Sequence, residues 1–177
     1  ENGAKLGGHA TKAGIPSVSF STGSLGHALP FAVGVSYRKK LEKESGYTIV
    51  VMSDGECDEG SNWEAALVAA HLGLNNLVAI IDRNRLQSFQ DTEQTIRLDP
   101  LDLKWESFGW KVSDVNGHDI NRITETLMES SPQKPHLIIA NTLKGKGVSF
   151  MEGNNLWHYR PPNDLELEQA ITELSRP

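Results

Sequence analysis

Two short apolar runs rich in β-branched residues, 48–52 (TIVVM) and 77–81 (LVAII), flank a segment, 61–72, whose apolar positions recur at helical spacing. Uninterrupted apolar runs of that length suit strands buried on both faces of a parallel sheet. Strand, helix and strand in this order make a βαβ unit. Its crossover is right-handed, and the C-terminal ends of its two strands open into one crevice, about 5 Å apart if the strands are adjacent. The same alternation continues along the chain. It predicts a helix over 24–44, a strand over 47–52, a helix over 61–73 ended by Gly73, and a strand over 77–82. A polar loop then runs to about Leu98, followed by a short helix over 101–108 and a strand over 110–115. A helix over 119–130 capped by Asp119, a strand over 136–141, a loop over 143–163 and an amphipathic helix over 164–174 complete the pattern. The expected fold class is α/β, a doubly wound, mostly parallel sheet with helices on both faces. Residues 1–177 read as one domain, with no internal repeat or linker.

Candidate chemistry sits at the ends of the first two strands. Ser53-Asp54-Gly55 closes one and Asn84 closes the other, thirty positions apart. A carboxylate and a carboxamide oxygen are hard ligands suited to Mg²⁺, which takes one or two protein carboxylates and fills its octahedron with water and substrate phosphate. Gly55 allows a backbone N–H to come close to such a phosphate. Ser61 and Glu64 form an S-x-x-E capping-box pattern at a helix N-terminus, which favours anions. An Asp-Gly pair alone is a common turn former. It is the Asn84 partner that turns the reading towards a phosphorylated cofactor held through a divalent ion.

Composition narrows the alternatives. The 177 residues are 38% apolar and 23% charged, ordinary for a water-soluble domain. A net charge of −6 without a basic stripe argues against nucleic acid as a partner. The cluster Arg38-Lys39-Lys40 reads as a solvated helix end. No apolar run reaches the roughly 20 residues of a membrane helix, and no signal peptide is recognisable in these residues. The single cysteine, Cys57, excludes an internal disulfide and suits a reducing compartment, so the expected location is cytoplasmic. Without an activating histidine beside it, Cys57 reads as a small loop residue rather than a nucleophile.

The stretch SDGECDEGSNWEAALVAAHLGLNNLVAIIDRN resembles the thiamine diphosphate signature, and more narrowly that of transketolase and its relatives. Thr22-Gly23-Ser24-Leu25-Gly26-His27 is similar to the family's T-G-[PS]-L-G segment, and Gly7-Gly8-His9 to its G-H-P segment. Lys144-Gly145-Lys146-Gly147 followed by Trp157-His158 resembles its K-G-x-G and later histidine. These motifs come in family order across almost the whole chain. The resemblance implies a thiamine-diphosphate-binding fold in which Asp54, Asn84 and the backbone carbonyl of Leu86 hold Mg²⁺. It implies that Gly23, Ser24, Leu25, Gly55 and Asn84 border the cofactor. His9 and His158 would face substrate or diphosphate, and Glu59 would join a proton relay between the two active sites of a dimer. The implied reaction moves a two-carbon ketol unit from a ketose to an aldose, on sugar or sugar-phosphate substrates.

Nothing in these residues resembles the family's pyrimidine-binding domain, which supplies a glutamate to the cofactor, and they begin past the family's expected initial helical segment, as a natural single-domain subunit or as a fragment without its front end. The expected architecture is the diphosphate-side half of a homo- or hetero-oligomer, completed by a separate pyrimidine-domain (C-terminal) transketolase subunit. The chain departs from the pattern at Ser53, in place of the first glycine of G-D-G, at Ala28 and at Tyr159. His27 stands where many relatives carry glutamine. His71 and His136 read as structural and His118 as a turn residue. Two other readings stay open. One is the cofactor half of a 2-oxo-acid dehydrogenase or a deoxyxylulose-phosphate synthase. The other is a degenerate, non-catalytic scaffold.

Overall fold

The computed structural model describes residues 9, 11, 12, 15, 18, 20–129 and 131–175. Four strands, β1 (Thr48–Ser53), β2 (Leu77–Arg83), β3 (Lys111–Asn116) and β4 (His136–Asn141), form a parallel sheet in the order β1-β2-β4-β3. Helices α1 (Ala28–Glu42), α2 (Gly60–His71), α3 (Thr92–Thr95), α4 (Leu101–Ser107), α5 (Ile120–Met128) and α6 (Asp164–Leu174) connect and flank the strands. The expected α/β class with a parallel sheet holds.

Two cores lie on the two faces of the sheet. One packs Leu29, Ala32 and Val33 of α1, Ala65, Ala66 and Ala69 of α2, and Trp105 of α4 over Val50, Met52, Ala79 and Ile81. The other packs Ile123 and Leu127 of α5 over Val78, Val115, Ile138 and Ala140. Helices therefore cover both faces, as the two-sided burial of β2 and β4 requires. Among the described residues no helix is long and apolar enough to cross a membrane.

Two local expectations change. The first helix begins at Ala28 rather than near residue 24, because Gly26 adopts φ +79° and keeps the preceding residues in a turn. Lys40 is more than a solvated helix end. Its Nζ donates to the carbonyl oxygens of Leu72 (2.6 Å) and Gly73 (2.8 Å), satisfying the C-terminus of α2 from the neighbouring helix. Gly73 (φ +58°) does end α2, and Asp119 does cap α5 by accepting from the Arg122 N–H.

His136, read from sequence as structural, opens the interior strand β4 at the end of the sheet remote from the strand C-termini. Its Nε2 lies 2.9 Å from Ser113 Oγ, and its Nδ1 is buried without a hydrogen-bond partner among the described residues. Burial, reinforced by the Lys111 charge, lowers its pKa to about 4. A histidine whose pKa is lower folded than unfolded binds its proton first in the unfolded chain. Its contribution to stability is complete above about pH 6.5 and is lost as pH falls towards 4, by at most about 3 kcal/mol. Urea denaturation at pH 7, 6, 5 and 4 is expected to show this loss in the wild type and a flatter profile in His136→Gln. Parallel profiles would remove His136 as the cause.

Candidate functional site

The register of the sheet brings the sequence-predicted pair together. Ser53 of β1 lies opposite Asp82 of β2, so the residues that follow, Asp54 on one side and Asn84 with Arg85 on the other, meet at the strand ends. Asp54 is 1% exposed. Its Oδ2 accepts from the Arg85 N–H at 2.7 Å and faces Arg83 Nη1 at 3.4 Å, and its Oδ1 accepts from the Gly55 N–H at 2.9 Å. Burial raises the Asp54 pKa, and these three donors only partly oppose that shift. A divalent cation at this carboxylate would supply the missing compensation. The Asn84 side-chain oxygen accepts from the Leu86 N–H at 3.0 Å, a turn that places Asn84 and Leu86 side by side. Among the described residues no group of three or more His, Cys, Asp and Glu converges on a metal position. One buried carboxylate, one amide oxygen and one backbone carbonyl are a donor set that fits an oxygen-loving ion sharing its shell with phosphate.

Between β1 and α2 the chain makes a 3-10 turn, Asp54–Asp58, which separates the start of α2 from Asp54. The expected capping box at Ser61 and Glu64 does not form. It forms at Ser53 and Glu56 instead, where Ser53 Oγ accepts from the Glu56 N–H and Glu56 Oε1 accepts from the Ser53 N–H. The same S-x-x-E spacing is present in Ser53-Asp54-Gly55-Glu56, so this signal was readable. The Ser53 hydroxyl, at a position where the resemblance leads one to expect glycine, is thereby turned into the chain's own turn. The Gly55 N–H expected to face a phosphate donates to Asp54, and a Cβ on Gly55 would lie 3.2 Å from Gln87.

Ser61 and Glu56 both reach the 22–27 segment. The Ser61 hydroxyl donates to the Gly26 carbonyl oxygen at 2.6 Å, and Glu56 Oε2 accepts from the Gly26 N–H at 3.2 Å. Thr22, Gly23, Ser24, Leu25, His27 and Glu56 line a cavity of about 290 Å³ beside β1. His9 lies against this segment, since a Cβ on Gly23 would stand 2.8 Å from its ring. Gly7 and Gly8 lie outside the described residues. Glu59 is exposed, with its side-chain carbons packed on Gly26.

A Cβ on Gly26 would stand 2.6 Å from Ser61 Oγ and 2.7 Å from Glu59 Cβ, at a φ that side chains disfavour. Gly26→Ala is therefore expected to destabilise the protein by about 3 kcal/mol through strain and overpacking. A shift in the urea midpoint checks this, and an unchanged midpoint would show that the 22–27 loop is not locked.

His158 ends a 3-10 turn, Asn155–His158, with its ring edge on Tyr159 and its pKa lowered by partial burial and the Lys144 charge. No contact joins it to Asp54 among the described residues. Cys57 is buried and its thiol is pushed up to about 12, mainly by burial, which agrees with a packing role.

Sequence reasoning missed Arg83. This arginine ends β2 at 2% exposure and contacts Asp54, Thr92, Glu93 and Asp99. Burial acts to lower its pKa, but the surrounding carboxylates outweigh this and leave it raised. The available signal was a charge closing an apolar strand next to Asn84.

The profile of the family described as transketolase, thiamine diphosphate binding domain, matches residues 1–175. One of the subunits of the apulose-4-phosphate transketolase of Actinobacillus succinogenes is 47% identical over 171 residues, covering 96% of this chain and 62% of the relative. Its namesake from Phocaeicola vulgatus is 43% identical, covering 99% of this chain and 63% of its own length. The chain thus spans less than two thirds of these curated relatives. A transketolase variant from Pichia stipitis superposes with a TM-score of 0.83 at 25% identity, over 91% of this chain and 26% of that one. With strand ends, glycine loop and family profile in agreement, the chain belongs to the transketolase family as its thiamine diphosphate binding domain.

Proposed function

We propose that this chain is the diphosphate- and metal-binding half of a two-chain transketolase that transfers a two-carbon ketol group from a ketose to an aldose. The observation that carries this reading is the buried Asp54 carboxylate, held at the end of β1 beside the Arg85 N–H and Asn84. In this reading Asp54, Asn84 and the Leu86 carbonyl hold Mg²⁺, and Gly55 and Asn84 border the diphosphate. Gly23, Ser24 and Leu25 form the wall beside the cofactor rings. His9, packed on Gly23, and His158 hold substrate oxygens. Glu59, exposed in the single chain, meets its counterpart across a dimer. When bound, thiamine diphosphate supplies a carbon nucleophile and an electron sink for the ketol unit. The protein's part is to fix the diphosphate and orient the substrate.

The relatives are named for apulose-4-phosphate, which supports a phosphorylated ketose as donor. Each is named as one subunit of its enzyme, which supports a second chain carrying the pyrimidine-binding domain, with residues 1–177 forming one cofactor domain. Exposed apolar residues on β1 (Ile49 53%, Val51 66%) and on α1 (Phe31, Tyr37) support burial against further protein. The lone cysteine supports a cytoplasmic location.

The test is a titration of thiamine diphosphate, with and without Mg²⁺, into the full-length protein assembled with its pyrimidine-domain partner. Tryptophan fluorescence provides the signal. Mg²⁺-dependent binding, followed by turnover of ketose phosphates but not pyruvate, is expected. Turnover of pyruvate would move the assignment to the 2-oxo-acid or deoxyxylulose-phosphate branch. A folded, assembled protein that binds no cofactor would be a scaffold.

A further inference from the structure

Lys144-Gly145-Lys146-Gly147 takes no part in the reading above, yet the fold carries it to the strand ends. Just after β4 the Thr142 N–H donates to the Arg83 carbonyl at 3.2 Å, and the Thr142 hydroxyl donates to the Asp82 carboxylate on β2. Residues 143–153 then close on themselves. The Gly153 N–H donates to the Lys144 carbonyl at 2.9 Å, and a Cβ on Gly145 (φ +75°) would stand 2.5 Å from the Met151 backbone. Trp157 Nε1 donates to the Phe150 carbonyl at 2.9 Å, which ties the turn ending at His158 to the same unit. From α6, Glu173 accepts from the Ser149 N–H at 2.6 Å and from its hydroxyl at 2.7 Å. Lys144 and His158 thus belong to one compact unit, close enough for the Lys144 charge to add to burial in lowering the His158 pKa.

The turn after β3 lies directly on the end of β4. The Gly117 N–H donates to the Asn141 carbonyl at 2.8 Å, and a Cβ on Gly117 would stand 2.5 Å from Thr142 Cγ2. The His118 N–H donates to Asn116 Oδ1 at 3.0 Å, and its ring Nε2 accepts from the Leu143 N–H at 2.8 Å. A ring nitrogen that accepts carries no proton, so the imidazole proton stands on Nδ1. Among the described residues this is the one side-chain hydrogen bond that reaches residues 143–158 from beyond that segment and α6. It lands on Leu143, between the strand end and Lys144.

We infer that His118 is a positioning residue for substrate: by accepting the Leu143 N–H it fixes the direction in which the 143–158 unit leaves β4, and so where His158 stands. This role rests on the functional reading above, in which His158 holds a substrate oxygen. It gives a residue of the β3 turn, which touches no substrate itself, a share in substrate affinity.

The experiment uses the full-length protein assembled with its pyrimidine-domain partner and saturated with thiamine diphosphate and Mg²⁺. Apulose 4-phosphate serves as ketose donor and glyceraldehyde 3-phosphate as aldose acceptor. Wild type is compared with His118→Ala, His118→Gln, His158→Ala and the His118→Ala/His158→Ala double variant, each checked for folding by circular dichroism. His118→Ala is expected to raise the donor KM about three- to tenfold, the share of one hydrogen bond, with kcat within about twofold. His118→Gln, whose Oε1 can stand in for Nε2, is expected to stay within about twofold of wild type. Adding His118→Ala to His158→Ala is expected to raise KM no more than about twofold further, because His118 acts through His158. Amide hydrogen exchange over 143–153 should quicken in the alanine variant and return in the glutamine variant. Equal losses in alanine and glutamine, a full further loss in the double variant, or a KM unchanged in His118→Ala overturns the role. Should His158→Ala turn over too slowly to measure, the contrast between alanine and glutamine decides. Wild type that turns over no ketose phosphate would overturn the functional reading, and the role with it.

Discussion

Replacing Asp54 by alanine is expected to lower Mg²⁺-dependent thiamine diphosphate affinity by at least about a hundredfold, about 2.8 kcal/mol. Mg²⁺ is held by few protein oxygens, so losing the one buried carboxylate at the strand ends leaves a neutral amide and a carbonyl to hold a doubly charged ion. The folded state should tolerate the change. Arg83 keeps Thr92, Glu93 and Asp99, and removing a carboxylate that burial makes costly to ionise relieves part of the desolvation it caused. Asp54→Asn separates charge from shape. It preserves the acceptor for the Arg85 N–H and is expected to lose the cation as fully as alanine does. Calorimetric titration on the assembled protein measures both variants, with thermal melts as the folding control. Affinity within about threefold of wild type in Asp54→Ala would place the metal elsewhere.

The second large effect lies in the core beneath the site. Trp105 is completely buried, meets Trp110 edge-on at 4.9 Å and meets Trp63 at 5.4 Å. Trp63 in turn donates its Nε1–H to the Cys57 carbonyl at 2.8 Å, which links this aromatic cluster to the turn carrying Asp54. Trp105→Ala is expected to destabilise the protein by about 3–5 kcal/mol, the range for emptying a large buried aromatic site. Trp105→Phe should cost far less than its lost volume implies. The Trp105 Nε1–H is buried without a partner among the described residues, and its removal offsets about 1–3 kcal/mol of that loss. Guanidinium unfolding of both variants gives the two numbers. Similar losses for alanine and phenylalanine would show that ring volume contributes little here.

Much of the fold was legible because its signals are local. Apolar runs of five to seven residues, Gly73 after α2 and Asp119 before α5 act within a turn or a strand, and each strand lies within a residue or two of where the pattern places it. The pairing of Asp54 with Asn84 was legible for a related reason. A βαβ unit leaves its two strands few ways to lie, so thirty residues of sequence become two neighbouring strand ends, with Asp54 on the N–H of Arg85, the residue after Asn84. The capping box shows the limit. Ser53/Glu56 and Ser61/Glu64 carry the same pattern, and what separates them is that the Ser61 hydroxyl has the Gly26 carbonyl in reach. That partner lies 35 residues away in the chain.

By itself, then, the sequence determined the class of sheet, the order of its elements, the strand ends where a carboxylate and an amide would meet, and the family to which these motifs point. Only the tertiary structure decided how those groups are held. It turned Lys40 onto the end of α2, closed the 22–27 loop over Glu56 and Ser61, and placed Arg83 in a cage of three carboxylates. Strand and helix periodicity are properties of neighbouring residues, whereas the partner of a buried charge is chosen among all the groups that folding brings within about 3 Å.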